Sequence, residues 1–193
     1  MSVLLAVPGA APAASSARTV DLDEYHHMIA TGILDEDQHL ELLHGRVVTM
    51  SPPGIRHARA VEQLSWLLVR RLDDRYRVRV QLPLILPGNS EPEPDIAIVL
   101  AEPHRRDHHP TTARAVIEVA EHSLDRDRDG KAPLYALAEI PEYWIVNLLT
   151  DVVEIHRTPI AGLYTRCHHV GRGELATFLK PLPSRLAVAD ILA

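Results

Sequence analysis

The chain has 193 residues, 46% of them hydrophobic and 24% charged, with a formal net charge of −6. Globular averages at the length of one ordinary domain exclude wholesale disorder, and no apolar run reaches the ~20 residues that cross a bilayer. One cysteine, Cys167, excludes an internal disulfide and fits a reducing, cytoplasmic setting, while the negative balance excludes a protein that coats nucleic acid by bulk charge alone.

Residues 1–18 are small, rich in Ala, Pro and Ser, and uncharged until Arg18, which reads as a disordered leader ahead of a folded domain over 19–193. Thr19 or Asp21 can cap a short helix running to Ala30, with Gly32 ending it. Leu40–Leu43 and Arg46–Met50 flank His44-Gly45, a hairpin signal. After the break at Ser51-Pro52-Pro53-Gly54, the apolar residues Val61, Leu64, Leu68 and Leu72 recur at helical spacing over 57–72. Tyr76–Leu82 alternates as a half-buried strand, and Pro94–Leu100 is a strand opened by a proline. Ala115–Ala120 is a nearly all-apolar run of the kind found at a sheet's centre. Residues 124–139 read as helix, with Pro133 in its first turn or kinking it. Three further strands are expected over 142–148, 152–157 and 162–170, then a terminal helical turn over 188–192. This is an α+β domain around one sheet.

The most informative feature is a misplaced charge. Glu118 stands inside the apolar strand, where an ionised carboxylate costs several kcal/mol unless it is paired or bound to metal. Asp95 likewise opens an apolar strand. If the two strands are neighbours, both carboxylates meet at one spot, and hard carboxylate oxygens with room for water suit Mg²⁺. A buried carboxylate satisfied by Arg or backbone donors is the simpler reading of either acid alone. Lysine adds weight, because 18 of the 20 basic residues are Arg and only Lys131 and Lys180 are Lys. Lys131, at the start of the following helix, can swing back over the acids; otherwise it is a solvated surface lysine.

An ordered set of strings resembles a known family. It comprises Glu41–Pro52, His57, Gln81-Leu82-Pro83, Glu93–Val99, Val116–Val119, Asp127–Ala136 and Ile140–Leu148. Together these look like the Uma-two family of restriction endonucleases, a branch of the PD-(D/E)XK nuclease superfamily, over roughly residues 20–193. The resemblance implies a restriction-endonuclease-like core, a mixed central sheet flanked by helices, and Mg²⁺-dependent hydrolysis of phosphodiester bonds, with Mn²⁺ as the substitute ion and DNA the expected substrate. Asp95 and Glu118 match the superfamily's two acids. Its lysine would stand at 120, where this chain has Ala120, so Lys131 is the migrated substitute. The rival reading is a catalytically silent nucleic-acid-binding or regulatory module on the same fold.

Around this set, Gln81 is a candidate to orient water or touch a phosphate, and His57 a candidate phosphate contact at a helix start, with capping the simpler role. Glu41 is a candidate third metal carboxylate, against the simpler reading of an exposed strand acid. Tyr135, one turn beyond Lys131, reads as core or as a group that orients the lysine. Arg70, Arg71, Arg75, Arg77 and Arg79 form the one dense basic run. His104, His108 and His109 share a loop but lack the further ligands that zinc needs. Cutting both strands of a duplex requires two sites, so a homodimer is expected.

Overall fold

The apolar run around Glu118 requires cover on both faces, and the fold supplies it. The structure, a computed structural model, describes residues 18–35, 38–50, 52–101, 107–182 and 185–192. The proposed leader lies almost wholly outside them, as does His104. In chain order the elements are α1 (Leu22–Ala30), β1 (Leu40–Leu43), β2 (Arg46–Thr49), α2 (Ile55–Arg71), β3 (Tyr76–Val80), β4 (Ile96–Leu100) and β5 (Ala115–Ala120). A π-helical turn (Arg126–Lys131) then leads into α3 (Ala132–Leu137). After it come β6 (Glu142–Asn147), β7 (Val152–Ile160), β8 (Leu163–Gly171), β9 (Leu175–Thr177), β10 (Arg185–Ala187) and α4 (Val188–Ile191).

Strands β3 to β8 form a mixed six-stranded sheet in chain order, with β5 and β6 as its parallel pair. Every residue of β5 and of β6 is buried, as strands covered on both faces must be. On one face, Ile96, Ile117, Val119 and Trp144 pack with Leu64 and Leu68 of α2 and with Phe178, Leu186 and Ile191 of the C-terminal elements. Trp144 stacks on Phe178 with ring centres 4.0 Å apart. On the other face, Ala97, Val116, Tyr143 and Ile145 pack with Leu134 and Tyr135 of α3 and with Leu43 of the β1–β2 hairpin. Helices on both faces of one mixed sheet give the expected α+β architecture.

The hairpin forms as its turn demands, with His44 and Gly45 at φ of 51° and 71°. Asp21 caps α1 by accepting from the Glu24 N–H at 2.8 Å, and Gly32 follows the helix at φ 71°.

Four details differ from the sequence reading. Strand β3 ends at Val80, because Gln81 takes φ 49° and leaves the extended region. The helix expected over 124–139 is broken into a π turn and α3. Gly130 and Pro133 weaken the α ladder on either side of Lys131, and the Ala132 N–H bonds five residues back to the Asp127 carbonyl. Strand β7 continues to Ile160, past Thr158 at φ 59°. Finally, β9 and β10 form a small antiparallel pair of three-residue strands, too short to show a period in sequence, and β1–β2 is also separate from the main sheet.

Candidate active site

The antiparallel β4–β5 register pairs Ile96 with Ile117, so the next step along the two chains sets Asp95 opposite Glu118. Here the ladder stops and the side chains take over its hydrogen bonds. The Val119 N–H donates to Asp95 Oδ2 at 2.8 Å, and the Asp95 N–H donates to Glu118 Oε2 at 3.3 Å. Each acid therefore satisfies a buried donor of the other's segment, which explains why apolar strands tolerate them.

Lys131 reaches the pair from the π turn. Its ammonium donates to Glu118 Oε1 at 3.0 Å and to Glu41 Oε1 at 2.7 Å, and the side chain is 5% exposed. The Tyr135 hydroxyl, one turn later, also donates to Glu118 Oε1, at 2.8 Å. Tyr135 is thus both core and a partner of the lysine's acid. Glu41 is fully buried rather than on an exposed strand face. Its Oε1 also accepts the Glu93 N–H at 2.8 Å, while its Oε2 is buried without a protein partner.

His57, in the first turn of α2, brings Nε2 within 3.0 Å of Asp95 Oδ2. Gln81 donates an amide N–H to Asp95 Oδ1 at 3.4 Å, from its turn beyond β3 rather than from the strand. Asp95, Glu118, Lys131, Gln81, His57 and Glu41 are therefore drawn into one network. Five of them, Glu41 excepted, line a pocket of about 390 Å³ at the end of β4 and β5.

Asp127 is the residue that sequence reasoning missed. It is buried on the π turn, lines the same pocket, and accepts from the Ser123 hydroxyl at 2.6 Å. Within Asp125-Arg126-Asp127-Arg128-Asp129 it looks like part of a solvated charged face. The available signal was its spacing four residues before Lys131. Next to it, Arg128 leaves the pocket and clasps Glu154 on β7 with two bonds of 2.9 and 2.6 Å, and Asn147 donates to the same carboxylate at 3.0 Å.

The electrostatics follow from burial. Desolvation pushes the Glu118 carboxyl up to about 8 against the attraction of Lys131, with Asp127, Asp95 and Glu41 adding to the rise. It likewise pushes Asp127 up to about 6. Burial alone would lower Lys131, but the carboxylates of Glu118, Glu41 and Asp127 outweigh it and raise the ammonium above its ordinary value. Burial also works to lower His57, and its hydrogen bond to Asp95 reverses this and raises it. The pocket thus gathers more acid than it neutralises, which is the chemistry of a cation site.

Among the described residues no three His, Cys, Asp or Glu side chains stand as a closed ligand set. Asp95 Oδ1 and Glu118 Oε2 each accept only one long hydrogen bond, of 3.4 and 3.3 Å. Those two oxygens fit an ion that keeps several of its waters, as Mg²⁺ does, better than one that needs a full protein cage. Of the loop histidines, His108 Nδ1 lies 2.8 Å from the His109 carbonyl, and His109 Nδ1 lies 3.2 Å from the Arg79 guanidinium. The basic run is largely occupied internally, Arg75 by Asp73 and Arg77 by the carbonyls of Asp74 and Tyr76.

The site is thus two acids meeting where β4 and β5 open, with a lysine from the following crossover bonded to one of them, on the mixed sheet of an α+β fold. Comparison agrees at the level of the fold. The crystal structure of a protein titled a putative nuclease belonging to DUF820, from Anabaena variabilis ATCC 29413, matches with a TM-score of 0.67 and 12% identity, covering 90% of this chain and 97% of that one. The family model Uma2, described as "Putative restriction endonuclease", matches residues 22–189, and the chain belongs to that family. No curated protein matches the sequence.

Proposed function

We propose that the protein is a metal-dependent endonuclease that hydrolyses phosphodiester bonds of nucleic acid, DNA in the first place. The observation that carries this reading is the convergence of Asp95, Glu118 and Lys131 on one pocket from three chain segments. An assembly module has no use for a buried acid inside an apolar strand, a second at the head of its neighbour and a buried lysine.

Asp95 and Glu118 would hold Mg²⁺ or Mn²⁺ through the two oxygens that have only one weak partner. A bound Mg²⁺ supplies Lewis acidity and lowers the pKa of its water. Lys131, fixed by Glu118 and Glu41, would offset the negative charge that grows on the phosphate in the transition state. Glu41 serves this reading as the group that positions Lys131, since one of its oxygens is already taken by the ammonium. His57 and Gln81 flank Asp95 at the pocket wall, which suits contact with phosphate oxygens or orientation of water. Asp127 adds negative charge beside Lys131 and helps keep it protonated.

The test is cleavage of mixed DNA and RNA with Mg²⁺ or Mn²⁺, with Asp95→Asn run beside the wild type. Metal-dependent cleavage that Asp95→Asn abolishes supports the reading. Equal cleavage by the two proteins, or none with either ion, overturns it.

A further inference from the structure

A second groove, of about 540 Å³, lies between α2 and the end of β3, lined by Val61, Trp66, Val69 and Val80 among others. Pro53 and Gln81 line both this groove and the catalytic pocket, so the two are neighbours. Trp66 and Val69 are exposed, at 55% and 63%, although both are large apolar side chains on a helix whose inner face is fully packed. The Arg70 guanidinium lies 4.9 Å from the centre of the Trp66 ring.

We infer that this groove holds a nucleotide of the substrate strand flanking the scissile bond, with its base stacked on Trp66 and its phosphate near Arg70. The inference rests on the nuclease reading of the adjoining pocket and extends it to a strand with an unpaired base. Its first support is proximity, because the groove adjoins the catalytic pocket across Pro53 and Gln81. Charge is the second. In a chain of net charge −6, α2 ends in Arg70 and Arg71, with Arg70 over Trp66 at the rim of the groove, while Arg56 and Arg59 line a different pocket. A basic helix end attracts a polyanion, and a second copy of this acidic chain is the alternative that the iodide test separates. Third, a tryptophan with a guanidinium over one face leaves the other face for an aromatic base, the usual platform for single-stranded nucleic acid.

The chain has two tryptophans, and Trp144 is buried against Phe178. Both emit, but only Trp66 is open to solvent, so quenching that is lost in Trp66→Phe belongs to Trp66. Oligothymidylate of about 12 nucleotides, added to the full-length protein in EDTA so that cleavage does not consume it, should quench the tryptophan emission to saturation. Trp66→Phe should abolish the quenching. By anisotropy of a labelled oligothymidylate, Trp66→Ala should weaken binding about tenfold. Arg70→Ala should weaken it less and flatten its salt dependence. Both positions are exposed, so both variants should melt with the wild type.

Binding without quenching, equal affinity of Trp66→Ala, or no binding at all overturns the inference. So does a dimer in which iodide no longer reaches Trp66, since a second copy then covers the groove. Cleavage reports separately on the catalytic reading. A protein that cuts but is not quenched refutes the groove alone, whereas one that is quenched but does not cut keeps the groove and loses the nuclease.

Discussion

The ammonium of Lys131 rests 2.7 Å from the carboxylate of Glu41, a residue 90 positions earlier in the chain. The hairpin that carries Glu41 belongs to neither of the strands that bear Asp95 and Glu118, yet it sets where the lysine points. Removing the ammonium should therefore act on both rate and stability. Lys131→Ala should lower the cleavage rate by about 10²-fold or more, the scale of losing one transition-state charge partner. It should also lower stability by about 3–5 kcal/mol, since buried acids are left without their cation. Lys131→Arg keeps the charge but is bulkier and cannot give up a proton at neutral pH, so partial rescue means that charge alone matters. Lys180, exposed and remote from the pocket, should accept Arg without effect. Steady-state kinetics and thermal melts at matched metal concentration decide this.

Adding Mg²⁺ or Mn²⁺ should raise the melting temperature, because an ion held by Asp95 and Glu118 binds the folded chain and not the unfolded one. At a hundred times its Kd the gain is about 2.7 kcal/mol. Glu118→Gln should remove the shift, and calorimetry should then show no binding heat. A shift that survives the substitution places the ion elsewhere.

Glu154 sets an acid limit on stability. Burial opposes its ionisation, but the hydrogen bonds from Arg128 and Asn147 prevail and hold the carboxyl below its ordinary value of 4.5. The stability gained is complete above the unfolded-state value and is lost as pH falls through the lower folded-state value. Glu154→Gln should be less stable than wild type by about 1–2 kcal/mol at neutral pH, discounted because Arg128 is partly exposed. The difference should shrink steadily below pH ~4. Urea melts across that range test it.

Sedimentation at micromolar concentration should give a dimer, paired through a face that leaves Trp66 open to iodide. Two-fold pairing supplies two sites for the two strands of a duplex. A monomer at that concentration sinks the expectation.

The acids were legible in sequence because the environment contradicts them. A charge inside Val116–Val119 or at the head of Ile96–Leu100 has no ordinary explanation, and the β4–β5 pairing turns two local oddities into one site. Lys131 was legible from the scarcity of lysine rather than from any pattern around it. Asp127 was not, since alternating charges at 125–129 look the same on a solvated helix as on a turn that buries one of them. The burial of Glu41 was equally hidden, because it depends on a hairpin folding back over a helix that lies ninety residues away in sequence. The π turn is invisible for a different reason. Gly130 and Pro133 announce a disturbance, but whether the ladder breaks, kinks or widens is settled by what the side chains on either side must reach.

The parallel pairing of β5 with β6 has a bearing on how this chain tolerates being cut or rearranged. Parallel neighbours cannot be joined by a tight turn, so the chain must travel back along the sheet before it can begin β6. That return journey carries Asp127, Lys131 and Tyr135, and it starts three residues past Glu118. Covalent continuity across residues 121–141 therefore does more than connect two strands. It delivers the only lysine in the pocket to the acid it serves, over a span too short to search for it. New chain termini opened between Glu118 and Lys131 would leave the ammonium joined to its carboxylate only through α3 and the β5–β6 pairing, whereas termini opened at the β7–β8 turn would leave that delivery untouched.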